Sequence, residues 1–170
     1  MFREMRKKQR QLPQEEAAAI LREGSSGVLA LAGDEGWPYA VPLSYLYLEG
    51  RLYFHCAREG YKLDALRKEP RASFCVIAQD KLCPEKYTTL YRSAIAFGRL
   101  RVLEEEGEIH AAIDALTKKY FPEESEASRE AAIARSWDAM YLLEMSVEHL
   151  TGKARRGAPG VSPYPPPLGA

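Results

Sequence analysis

The segment His55-Cys56-Ala57-Arg58-Glu59-Gly60-Tyr61-Lys62-Leu63 holds the densest set of usable groups in the sequence. A strand ends there, a turn containing Gly60 follows, and a helix opens near Lys62. Free backbone N–H groups at a helix start attract anions, and a lysine beside them adds a full positive charge. The stretch reads as a phosphate cradle to which Arg58 could add, although it matches neither the P-loop nor the glycine-rich dinucleotide fingerprint. The same lysine would also suit a merely solvated helix start. A second candidate is Tyr91-Arg92-Ser93, where Arg92 offers phosphate a planar fork and Ser93 a hydroxyl. An ordinary exposed strand start would look the same. The third is Pro42-Leu43-Ser44-Tyr45. Proline cannot donate to a sheet ladder, so Pro42 marks an edge or a bulge. An interrupted ladder leaves backbone groups for the rim of a planar heterocycle, whereas a plain barrel edge would need no ligand.

His55 allows three readings: a buried hydrogen-bonded side chain, a group beside a ligand, or a metal ligand. His110, His149 and the scattered Cys56, Cys75 and Cys83 show no metal spacing, which argues against zinc. Cys56 falls on the opposite strand face from His55, so a Cys–His nucleophile pair is not expected. No GxSxG elbow, paired-carboxylate motif or HExxH is present.

The elements that must position these groups are legible from periodicity. Pro13 to Glu23 reads as a helix, with Pro13 at its start, Glu15 and Glu16 near the positive end and Gly24 as a stop. Val28 to Ala32, the turn Gly33–Gly36, and the alternating Tyr39, Val41, Leu43, Tyr45 and Tyr47 form a hairpin. Glu49-Gly50 turns into a third strand over Arg51–Cys56, and a short helix over 60–68 carries Leu63 and Leu66 inward. Ala72–Ala78 and Tyr91–Leu103 are further strands, the second with a bulge or bend at Gly98. Helices follow over 104–120, with Ile109, Ile113, Leu116 and Tyr120 in one stripe, and over 124–135. A last strand covers Met140–His149. About six strands in this order predict a mainly β, α+β fold: a six-stranded barrel with peripheral helices.

Composition narrows the classes. The 170 residues suit one domain, and 46% hydrophobic residues suffice for a core without disulfides. The 24 basic and 24 acidic residues balance, so no global field recruits nucleic acid or an anionic membrane. Ten tyrosines could stack on bases, but they lie at core-like spacing with no basic stripe. The basic run Arg3, Arg6, Lys7, Lys8, Arg10 reads as a solvated terminal arm. Unpaired cysteines, no leader and no long apolar run predict a cytoplasmic location. Residues 157–170, with five prolines and three glycines, read as a tail that buries no core.

Taken in order, Gly36-Trp-Pro-Tyr-Ala-Val-Pro-Leu-Ser-Tyr45, Leu52-Tyr-Phe-His-Cys-Ala57, Gly60-Tyr-Lys-Leu-Asp-Ala-Leu66, Tyr91-Arg-Ser-Ala-Ile-Ala-Phe-Gly-Arg99 and Leu150-Thr-Gly-Lys153 resemble the pyridoxamine 5′-phosphate oxidase-like superfamily of FMN-binding split barrels. Within it the sequence is most similar to the nitroimidazole-resistance-related branch, over roughly residues 1 to 156. The resemblance implies a split β-barrel homodimer that holds FMN between its subunits. It implies that Pro42, Leu43, Ser44 and Tyr45 border the flavin ring and that His55, Cys56 and Ala57 run beside the ribityl chain and ring. Lys62, Leu63, Arg92 and Ser93 would take the phosphate, and His55 would lie close enough to the ring to serve catalysis. FMN would supply the redox chemistry, with reduction of a small nitroaromatic or quinone by a nicotinamide donor as the leading expectation. The alternative is a flavin- or haem-binding sensor or carrier that turns nothing over. True pyridoxamine phosphate oxidase activity is not expected, because the tail is proline-rich where an arginine-containing ending would be needed.

Overall fold

The structure, a computed structural model, describes residues 2–156, so the tail expected over 157–170 lies outside the described residues. In chain order the elements are β1 (Gln11–Leu12), α1 (Gln14–Glu23), β2 (Ser26–Ala32), β3 (Pro38–Ser44), β4 (Leu46–Leu48), β5 (Arg51–Ala57), α2 (Tyr61–Lys68), β6 (Arg71–Cys83), β7 (Thr88–Val102), α3 (Glu106–Tyr120), α4 (Glu126–Ser136) and β8 (Met140–Arg155). The strands form one antiparallel sheet in the order β3-β2-β6-β7-β8-β5-β4, with β1 added on β8. The two ends of that order, β3 and β4, are joined through Tyr45 alone. The sheet therefore curls into a split β-barrel whose seam runs between them.

Eight strands replace the expected six, for two physical reasons. The alternating run 39–47 changes partner at Tyr45: β3 pairs with β2 and β4 with β5. In addition, Gln11 and Leu12 pair with Lys153 and Gly152. Pro42 does lie on an edge strand, but the β2–β3 ladder continues through it, with Pro42 opposite Val28. The interruption falls at Tyr45 instead. β6 and β7 also run on as a hairpin arm past a bulge between Ile77 and Gln79, and a second irregularity sits beside Gly98. A Cβ on Gly98 would fall on the Ser146 carbonyl, so only glycine lets β7 and β8 approach there.

The inward positions make one core. Leu29, Leu52, Phe54, Phe74, Leu143 and Met145 are fully buried, and α1 closes the barrel with Ala17, Ile20 and Leu21. A second, smaller core lies outside it, where Ala112, Ile113 and Ile133 of α3 and α4 cover Leu142 and Leu103. β8 is thus buried on both sides over Leu142–Met145. The buried carboxylate there, Glu144, is bracketed by Arg101 at 3.0 Å and Arg51 at 3.7 Å, which compensates its charge. No helix among the described residues is long and apolar enough to cross a membrane.

Candidate functional site

Alternation along β5 decides which groups reach the site. Leu52, Phe54 and Cys56 turn into the barrel, while Tyr53, His55 and Ala57 turn outward. Helices α3 and α4 stand over that outer side without covering its far end. The gap between them is a cleft of about 720 Å³, within the range that holds small ligands and cofactors. Its floor is Ser44, His55 and Ala57, its apolar wall Ile113, Leu116, Phe121, Ile133 and Met140, and its polar rim Thr117, Tyr120, Glu124, Ser128 and Arg129. His55 is exposed, and among the described residues no group hydrogen-bonds its ring. Its imidazole is available to whatever enters.

Of the expected site residues, the cleft gathers Ser44, His55, Cys56 and Ala57. Cys56 is only 9% exposed, with its side chain toward the core, so it offers the cleft mainly backbone. Burial pushes its thiol up, and the positive charge of Lys62 partly offsets that shift. Lys62 sits in the first turn of α2, just after β5 in the chain, and is not among the residues that line the cleft. The turn there needs Gly60, whose φ is +118°, and the N–H groups of Leu63 and Asp64 bond to the Gly60 carbonyl at 2.9 and 3.3 Å. Tyr61 anchors the same helix start by accepting the Asp34 N–H at 2.7 Å.

The other expected residues are placed differently. Leu63 is 1% exposed and packs in the core, so its side chain cannot meet a phosphate. Leu43 is half-buried against the same core, and Pro42 points outward on the sheet face. Tyr45 is fully buried against Phe74 at 4.7 Å between ring centroids. The backbone it was expected to leave for a heterocycle is already occupied. Its N–H donates to the Tyr120 hydroxyl at 2.8 Å, and its carbonyl accepts from Tyr120 at 2.9 Å and from Lys119 at 3.0 Å. Arg92 and Ser93, neighbours on one strand, face opposite sides. Arg92 turns inward, 3.6 Å from Glu23 of α1, while Ser93 turns outward opposite Lys153. One chain therefore cannot close both on a single phosphate.

The missed residues are those of the seam and the rim. Lys119 donates to the carbonyls of Gly24 at 2.6 Å and Tyr45, and lies over the Tyr45 ring at 4.3 Å. Burial lowers its ammonium to about 8. Tyr120 shares its one hydroxyl proton between the Tyr45 carbonyl and that of Ser25. Together the two side chains replace the sheet hydrogen bonds that the split leaves unmade, and Tyr120 then lines the cleft. The helical stripe flagged Tyr120 as apolar packing. Nothing in the pattern distinguished Lys119 from a solvated lysine.

Comparison with known proteins fits this geometry. The profile of the pyridoxamine 5′-phosphate oxidase family matches residues 13–154. The chain belongs to that family. Among curated proteins, none matches this sequence. Solved structures share the fold. One, from Bacteroides thetaiotaomicron and assigned to 5-nitroimidazole antibiotic resistance, has a TM-score of 0.73 at 22% identity, covering 85% of this chain and 86% of its own. An FAD- and haem-binding protein of Mycobacterium smegmatis gives 0.71 at 23%, over 87% and 74%. A flavocytochrome of Azotobacter vinelandii gives 0.74 at 18%, over 91% and 73%. At these identities the structures establish the shared fold. The family profile covers the whole cleft floor, from Ser44 to Ala57, and both helices of its roof.

Proposed function

We propose that this member of the pyridoxamine 5′-phosphate oxidase family is a homodimeric FMN-binding oxidoreductase that reduces a small planar acceptor, such as a nitroaromatic or a quinone, with electrons from a nicotinamide donor. The observation that carries it is the cleft itself. An apolar slot of about 720 Å³ has an unpartnered imidazole on its floor, and Lys62 follows the same strand in the chain, in the first turn of α2. That set of groups fits a flavin: apolar walls for a planar ring, a hydroxyl and an imidazole at its margin, and a cation at a helix start for its phosphate.

Bound there, FMN would supply the electron transfer. The chain's own residues would do the rest. Ser44 would hydrogen-bond the ring margin, since the Tyr45 backbone is occupied by Tyr120 and Lys119. Lys62 would hold phosphate. His55, with both nitrogens available, would bind the acceptor's polar group and exchange a proton with it. The apolar wall from α3 and α4 would exclude water from the ring.

The dimer is supported by the outer sheet face. Val28, Cys75 and Ile95 stand in one cross-strand row, and Val28, Ile95 and nearby Ile77 are 40%, 37% and 68% exposed. A second copy would cover them. The test is His55→Ala: flavin retention should persist while reductase turnover falls at least tenfold, and unchanged turnover would remove His55 from the chemistry. A second reading, a carrier or sensor for flavin or haem, is favoured by one observation: no described carboxylate engages His55 to form an acid–base pair. Bound cofactor without turnover, under a steady supply of reductant, selects that reading.

A further inference from the structure

The roof of the cleft carries a cation that the flavin reading leaves unused. Ser128, Arg129, Ala132, Ile133 and Ser136 recur at helical spacing, so one face of α4 turns toward the cleft. Among the described residues that line the cleft, Arg129 is the only arginine or lysine, and its side chain is 11% exposed.

Its guanidinium is only partly engaged. Nη1 donates to the Glu124 backbone carbonyl. Nε is buried and makes no hydrogen bond, although the Asp114 carboxylate stands 3.5 Å away. Nη2 has no hydrogen-bond partner among the described residues and is not sealed from solvent as Nε is. Nor is the charge fully balanced. Lys118 takes the same Asp114 carboxylate at 2.6 Å, so one anion serves two cations. Together they hold the Asp114 carboxyl below its ordinary value, Lys118 more than Arg129. Glu124 does not make up the difference: its carboxylate accepts from the Ser128 hydroxyl at 2.7 Å and forms no ion pair with Arg129. Glu130, the next acid on α4, is taken by His110 of α3. A half-neutralised cation beside an apolar wall has lost hydration, and an anionic ligand offsets that loss.

We propose that Arg129 sets the specificity of the cleft by binding the carboxylate of a planar acceptor whose reducible group lies at His55. Roof and floor then recognise the two ends of one molecule. A guanidinium offers a planar fork that matches a carboxylate, where a lysine would offer only a point charge. Between the ends, Ile113, Leu116, Ile133 and Met140 supply the apolar contact a flat ring needs. The substrate class is therefore an aromatic nitro acid or a quinone carboxylic acid, not a neutral compound. The role of His55 rests on the oxidoreductase reading; the anion subsite rests on the geometry of α3 and α4.

The experiment measures binding of para-nitrobenzoate and its neutral analogue para-nitrobenzamide to the full chain, as purified, by calorimetry. The native protein should prefer the benzoate by about tenfold, the worth of one charge-assisted hydrogen bond. Arg129→Gln removes the charge while Lys118 still pairs Asp114, and should bring the two affinities within about twofold of each other. Arg129→Lys keeps the charge without the fork and should restore part of the preference. Equal binding of the two by the native chain overturns the subsite without any variant, and so does a preference that survives Arg129→Gln. Weaker binding of FMN relative to riboflavin in Arg129→Gln would assign the residue to the cofactor and overturn it as well. If the preference depends on Arg129 but no acceptor of either charge is reduced, the oxidoreductase reading fails and the subsite stands. If neutral and anionic acceptors are reduced with equal kcat/KM, the subsite fails and that reading stands.

Discussion

Along β6, Phe74 and Val76 are 0% and 1% exposed, and the next residue, Ile77, is 68% exposed. The same contrast runs through the sheet. Inward, Leu29, Phe54, Phe74 and Met145 interlock with α1 into a sealed core. Outward, the strands carry an apolar row and an exposed imidazole. Folding alone accounts for the first set, because burial of such side chains is the main stabilising term. It gives no reason for the second. On the proposed reading, the outer face is where this chain meets its cofactor and its second copy.

The largest expected effect is on the inner side. Phe74→Ala removes a ring packed against Tyr45 and Phe54 at 4.7 and 5.1 Å and should lower unfolding free energy by about 3–5 kcal/mol in a denaturant titration. A loss below about 1 kcal/mol would mean the inner face is not the core described. Gly98→Ala forces the Ser146 backbone to move, and a loss of about 1–3 kcal/mol is expected by the same measurement.

Lys119 sits between the two regions. Burial lowers its ammonium to about 8 from an ordinary 10.5, so between those values the unfolded chain binds more protons than the folded one. Its contribution to stability should therefore rise with pH through that window. The unfolding free energy of the native chain minus that of Lys119→Met should climb from pH 8 to 10.5, and a flat difference would place Lys119 in solvent. The smallest stability effect belongs to the outer face. Ile95→Asp should change monomer stability by no more than about 0.5 kcal/mol while halving the mass seen by sedimentation. A mass that stays dimeric would move the interface elsewhere.

The barrel was largely legible in the sequence, because period-two burial marks β2, β3, β5 and β7, β8 alternates beyond its doubly buried stretch, and the turn residues separate them. The seam was not. Tyr45 keeps the alternation of its neighbours while the strand changes partner, and a partner switch leaves no trace in one strand's pattern. The arm beyond Ala78 was also hidden: Gln79, Asp80 and Lys81 pair in register but bury neither face, so they lack a strand signature. For the site, the cleft floor was readable from Ser44 and His55–Ala57. Its roof was not, since Ile113 and Leu116 look the same whether they face a core or a ligand. The arm around Arg10 read as loose because the pairing of Gln11 and Leu12 with the far end of β8 is long-range.

Identification of whatever the purified chain carries tests the central claim most directly. The visible absorption spectrum would be recorded, the protein denatured, and the released molecule identified by mass. The account predicts a flavin spectrum and one FMN per chain, with absorbance perturbed in His55→Ala. A colourless protein whose cleft also fails to take up added FMN would contradict it.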